Sequence, residues 1–189
     1  SDIWVLLDME ASAHAAQEED TTEELGVTSA ASIAHHFLGR GLPVGFAASS
    51  KDFLLLPPDR SAVQDGRILD VLAQAQANGE LPLAQAIARL DPWLTRHTTL
   101  VVVTPSAQQG WLEAMGILAQ RGVRLAAVLI DASTFGGADT GPLAPSLRAL
   151  GAAPYVVGKG DNIAAALDQA VSSHWYAWEG AAAAPGVRR

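Results

Sequence analysis

The sequence predicts an α/β fold: a Rossmann-like, doubly wound, mostly parallel sheet with one antiparallel edge strand. Short apolar runs (IWVLLDM, VGFAAS, FLLLPP, TLVVVTPS, RLAAVLID and PYVVGKG) alternate with longer stretches of helical periodicity. Most of these runs are continuously apolar, as strands must be when helices cover both faces of a sheet. The second and third runs are separated only by SSKD, too short for a parallel crossover, so they form an antiparallel hairpin with FLLLPP at the edge. The strand order that follows is 3-2-1-4-5-6.

Each element has its own local warrant. After the first strand, EEDTTEEL signals a helix entry: Asp20 or Thr21 caps, Glu23 or Glu24 returns the bond, and the carboxylates complement the positive helix end. Val27, Ala30, Ala31, Ala34, Phe37 and Leu38 then recur at helical spacing, with small residues that suit close docking on a sheet, until Gly41 closes the helix. Two prolines end FLLLPP. Helices are expected at 61–77 and 82–94, joined by a turn at Asn78-Gly79, and further ones at 108–120 and 143–150. A last helix starts near Asp161, with Asp161 or Asn162 as its cap. Residues 1–178 make one domain and 179–189, EGAAAAPGVRR, a flexible tail. Trp93, Trp111, Trp175 and Trp178 are expected in core or helix–sheet packing with polar tips at the edge, and the pair in SHWYAWEG is also placed to dock on another segment.

Composition narrows the chemistry. With 189 residues, 49% hydrophobic and 17% charged, the chain can bury one sizeable core. It has no cysteine, which excludes disulfide frameworks, thiolate catalysis and zinc–thiolate sites. The net charge of −8, with twelve scattered basic residues, opposes a nucleic-acid role. No apolar run reaches the ~18 residues of a membrane span, so no membrane contact by this chain itself is expected. Ser1 stands where an initiator methionine would, directly ahead of a strand, and the sequence reads as a domain of a longer protein.

In open α/β sheets ligands bind beyond the carboxyl ends of the strands, which directs attention to DMEASAH, LPPDR, VTPS, LIDASTFGG and VGKGDN. The first of these loops contains no glycine and the chain has no GxxxxGK[ST] loop, so the common nucleotide-binding modes are absent. No serine sits in a GxSxG frame. Asp8, Ser12 and His14 could be drawn as a triad, but they crowd one short loop with nothing to orient the imidazole against the serine. His35 and His36 are helix neighbours that do not share a face, hence poor co-ligands.

The strand-end DMEAS resembles the Asp-x-Ser-x-Ser element of von Willebrand factor A domains, in which an aspartate and two hydroxyls hold a divalent cation. The longer string IWVLLDMEASAH, TTEELGVTSAASIAHHFLGRGLPVGFAAS, LLPPDR and LVVVTPS resembles the von Willebrand A-like region of the bacterial domain of unknown function 58 family, over about residues 2–170. That resemblance implies a longer parent with an N-terminal membrane anchor, a cytoplasmic placement of this domain, and work beside MoxR-type AAA+ ATPases. It also implies a metal site that has eroded. Asp8 and Ser12 match the motif, Glu10 replaces its first serine, NGELPLAQAI lacks the usual threonine, and VTPS places Pro105 and Ser106 where an aspartate is usual.

Two functions follow as expectations. The first is a non-enzymatic protein-interaction domain whose contact face comprises Asp8, Glu10, Ser12, Pro105 and Ser106, with no constitutive cofactor. The second is a metal-dependent hydrolase or phosphotransfer-type enzyme that holds Mg²⁺ through Asp8 and Glu10, with Ser12 as a hydroxyl ligand. The enzyme needs a third carboxylate or imidazole converging from LIDASTFGG or LPPDR, and Asp131 or Asp59 are the obvious suppliers.

Overall fold

The computed structural model describes residues 2–17, 20–161 and 163. Its strands are β1 (Asp2–Leu7), β2 (Ala16–Gln17), β3 (Asp20–Thr21), β4 (Val44–Ser49), β5 (Phe53–Asp59), β6 (Thr98–Thr104), β7 (Arg124–Ile130) and β8 (Ala153–Val157). Its helices are α1 (Thr22–Gly39), α2 (Gln64–Gln74), α3 (Leu83–Leu90), α4 (Leu112–Gln120) and α5 (Ala144–Ala149). Six strands form one sheet in the order β5-β4-β1-β6-β7-β8, and β2 with β3 make a small ribbon. All pairs in the large sheet are parallel except β4 with β5. This is the order and the single antiparallel edge that the sequence predicts.

The period of two along β1 sends alternate residues to opposite faces. Ile3, Val5 and Leu7 pack with Ala30, Ile33, Ala34 and Phe37 of α1 and with Ile68 and Leu72 of α2. Trp4 and Leu6 pack on the other face with Leu83, Ile87 and Leu90 of α3, Met115 and Leu118 of α4, and Leu147 of α5. The glycine at 45 makes room for this second layer, because a Cβ there would lie 2.9 Å from three atoms of the Trp4 ring. The stripe on α1 is turned slightly from the expected one: Ile33 is buried, while Val27, Ala31 and Leu38 flank the core.

Local details depart from expectation where tertiary contacts compete. Thr21 caps α1 by accepting from the Glu24 amide at 3.0 Å, but Glu23 accepts from the Ala77 amide at 2.9 Å and so ties the helix entry to a distant loop. Gly41, at φ 74°, closes the helix as expected, donating to Leu38. The prolines of FLLLPP do not end the strand. Pairing shifts between Phe46↔Leu56 and Val44↔Asp59, so the prolines sit in an edge bulge, where a missing N–H is harmless. The helices are shorter than their periodic patterns, and 105–110 stays non-helical ahead of α4. Among the described residues no helix is long and apolar enough to cross a membrane. The last helix beyond Ile163, Trp175, Trp178 and the tail at 179–189 lie outside the described residues.

Candidate functional site at the carboxyl ends of the strands

The sheet brings the first loop beside the loop after β6. Leu7 is in register with Val103, and the Asp8 amide continues the ladder by donating to the Val103 carbonyl at 2.9 Å. Asp8 therefore meets Thr104. The Thr104 hydroxyl donates to Asp8 Oδ2 at 2.6 Å, the Glu10 amide donates to Asp8 Oδ1 at 3.0 Å, and the Ser106 amide donates to the Thr104 hydroxyl at 2.9 Å. Asp8 is fully buried, at 0% exposure. Burial raises its pKa above the ordinary value of 3.8, and the Thr104 and Glu10 hydrogen bonds and the nearby His14 only partly oppose that rise.

The rest of the loop is clamped from two further directions. The Met9 amide donates to Ser49 Oγ at 3.0 Å, at the end of β4. Gly79 donates to the Met9 carbonyl at 2.9 Å and accepts from the Ala11 amide at 2.8 Å. A Cβ at Gly79 would fall 2.0 Å from the Ser49 carbonyl oxygen, so only glycine fits this approach. Beyond the clamp, Ala11–Ala13 form one 3-10 turn in which Ser12 Oγ donates to Glu10 Oε1 at 3.0 Å. His14 turns inward: Nε2 is 2.7 Å from the Asp8 carbonyl and Nδ1 is 2.9 Å from Thr22 Oγ1. A carbonyl only accepts, so Nε2 carries a proton.

Ser12 is thus committed to Glu10, and His14 to a carbonyl and a threonine. Ser12 and His14 therefore do not make the serine–imidazole contact that a triad requires.

Above this network lies a groove of about 770 Å³, walled by Glu10, Ser12 and His14 on one side and by Pro105, Ser106, Gln108 and Trp111 on the other. Of the residues expected on a contact face, Glu10 is half-buried, Ser12 is exposed, and Pro105 and Ser106 are mostly buried but line the wall. Asp8 lies beneath the groove rather than on it. Among the described residues of the lining, Glu10 is the one carboxylate and none is a lysine or arginine. Trp111 is buried as expected, yet its indole nitrogen has no hydrogen-bond partner among the described residues. Trp93 is 45% exposed and tilts against Trp4 at 5.8 Å between ring centres.

A divalent cation does not fit these residues. Mg²⁺ seeks about six oxygen ligands near 2.1 Å in an octahedron. Both Asp8 oxygens are occupied by protein donors and closed to solvent, and Glu10 Oε1 holds Ser12. Asp131 accepts from the amide and hydroxyl of Ser133 in its own turn, and Asp59 accepts from Ser61. Neither converges on the site as a third ligand, and among the described residues no group of three His, Asp or Glu could hold a metal.

Thr104, Ser49, Gly79 and the His14–Thr22 pair were not singled out by the sequence as site residues. Thr104 had a signal available, since the order β4-β1-β6 puts the residue after β1 next to the last residue of β6.

The profile of the family described as "Protein of unknown function DUF58" matches residues 1–135. No curated protein matches the chain. Among solved structures, the chain is similar to the conserved hypothetical protein BatB from Bacteroides thetaiotaomicron, with 13% identity, a TM-score of 0.64, and coverage of 90% of this chain and 97% of that one. It is also similar to an aerotolerance-related membrane protein from Bacteroides fragilis, with 14% identity, a TM-score of 0.63, and coverage of 90% and 96%. Proximal thread matrix protein 1 from the mussel byssus matches with 13% identity and a TM-score of 0.61, covering 90% of this chain and 47% of that one. At such identities the likeness is one of fold, and that fold is von Willebrand A-like.

Proposed function

The chain belongs to the DUF58 family, and on that premise we propose that it is a non-enzymatic protein-interaction domain that receives a basic segment of a partner in its strand-end groove. The carrying observation is the Glu10 carboxylate, which stands in a groove lined by no lysine or arginine and makes no ion pair among the described residues. A metal-bearing face of this kind would attract a carboxylate. A face whose only carboxylate, lysine or arginine among the described residues is Glu10 attracts a lysine or arginine instead, chiefly by raising the association rate. The buried Asp8 network keeps the groove's walls in place without taking part in contact.

The parent is a bacterial membrane protein with this domain on the cytoplasmic side, and the partner is a MoxR-type AAA+ ATPase or another segment of the parent. Membrane association is supported by the description of the Bacteroides fragilis structural relative as a membrane protein. The test is a titration of the parent's remaining segments and of a co-encoded ATPase against the native domain and Glu10→Gln. Binding should weaken in the variant and as salt rises. Equal binding by both proteins would remove this face from the interaction.

A further inference from the structure

The groove is not the only surface built to receive a chain. β5 closes one side of the sheet, and none of the backbone N–H or C=O groups of Phe53 to Leu56 bonds outside the β4–β5 ladder among the described residues. On an edge strand alternate residues turn both groups outward, which leaves a row of donors and acceptors ready for another strand. Natural edges are usually blunted by lysine, an inward charge or a bulge. Here the bulge lies at the far end, at Pro57 and Pro58, and the Phe53–Leu56 stretch is wholly apolar and half-exposed.

Charge selects what would pair there. At the hairpin end of β5 a depression of about 230 Å³ is lined by Ser50, Lys51, Phe53, Glu80, Leu81 and Arg89. Arg89 lies 5.4 Å above the Phe53 ring, and neither Arg89 nor Lys51 is in an ion pair among the described residues. Among the described residues two cations face one carboxylate at this spot, on a chain of net charge −8. A second copy of so acidic a chain is a poor occupant.

We infer that β5 accepts an extended, apolar segment of another protein as a seventh strand, with an acidic residue of that segment seated between Lys51 and Arg89. Main-chain bonds supply the affinity, and alternate side chains pack on Leu55 and Phe53. This inference does not depend on the strand-end groove, with which the depression shares no lining residue.

The experiment uses the full chain and three synthetic peptides: alternating valine and threonine ending in two aspartates, the same ending in two lysines, and an N-methylated form of the acidic one. Amide shifts and hydrogen exchange are read by NMR. The acidic peptide should slow exchange at alternate amides of 53–56 and shift Arg89, while the N-methylated form should not bind. Lys51→Glu, at an exposed and unpaired position, should weaken the acidic peptide by about tenfold and spare the fold. No binding by the acidic peptide, equal binding by the lysine peptide, or a footprint away from β5 would each overturn the inference.

Discussion

Asp8 is the residue at which the strand-end loops converge, and its burial gives it a testable titration. A carboxyl whose pKa is raised on folding stabilises fully below its unfolded value of 3.8, and that contribution is lost as pH rises through the folded value. The stability of the native chain minus that of Asp8→Asn should therefore fall as pH rises from 3.8 toward the raised folded value. A flat or rising difference in denaturant titrations across that range would show that Asp8 is not held in a desolvated state. Thr104 supplies its shorter hydrogen bond, so Thr104→Val, which keeps the volume but strands a buried oxygen, should cost about 1–3 kcal/mol. Thr104→Ser should restore most of it. Gly79→Ala should destabilise by at least ~2 kcal/mol, because the obstacle is the Ser49 backbone rather than a side chain that can move.

At the scale of elements, sequence periodicity was legible wherever one strand or helix decided its own environment. Continuous apolar runs told of strands covered on both sides, and SSKD told of the hairpin, because chain length alone forbids a crossover. The prolines misled, since an edge bulge lets two residues without N–H groups remain in a strand. The sequence offers Glu23 or Glu24 as the residue that returns the cap bond, but Glu23 instead accepts from the Ala77 amide, 54 residues away. Site contacts were legible in proportion to their dependence on strand order. Asp8 beside Thr104 follows from neighbouring parallel strands, whereas His14 against Thr22 depends on how a loop and a two-stranded ribbon fold back. Thr21 remains the cap of α1, and Thr21→Ala should cost about 1 kcal/mol in thermal or denaturant unfolding.

For the whole molecule, the layers set what the strand ends can do. Two covered faces leave the loops at the carboxyl ends as the place where polar groups gather, and the Asp8 network spends them on holding β1, β4 and β6 together. What remains open is a groove with a carboxylate and amides rather than a ring of metal ligands. Thermal unfolding with millimolar Mg²⁺ and with chelator should nearly coincide. Ligand stabilisation of even about 1 kcal/mol would move the midpoint by roughly 2–4 °C for a domain of this size.

In the function proposed above, binding without a cation is what would separate this groove from a metal-bearing strand-end face. The direct measurement is a titration of the proposed partners, a MoxR-type ATPase and segments of the proposed parent, against the native chain, in chelator and in Mg²⁺, at low and high salt. The predicted result is one affinity in both solutions for the partner that binds, falling with salt and with Glu10→Gln. Binding that appears only with Mg²⁺ and vanishes in Asp8→Ala would contradict it.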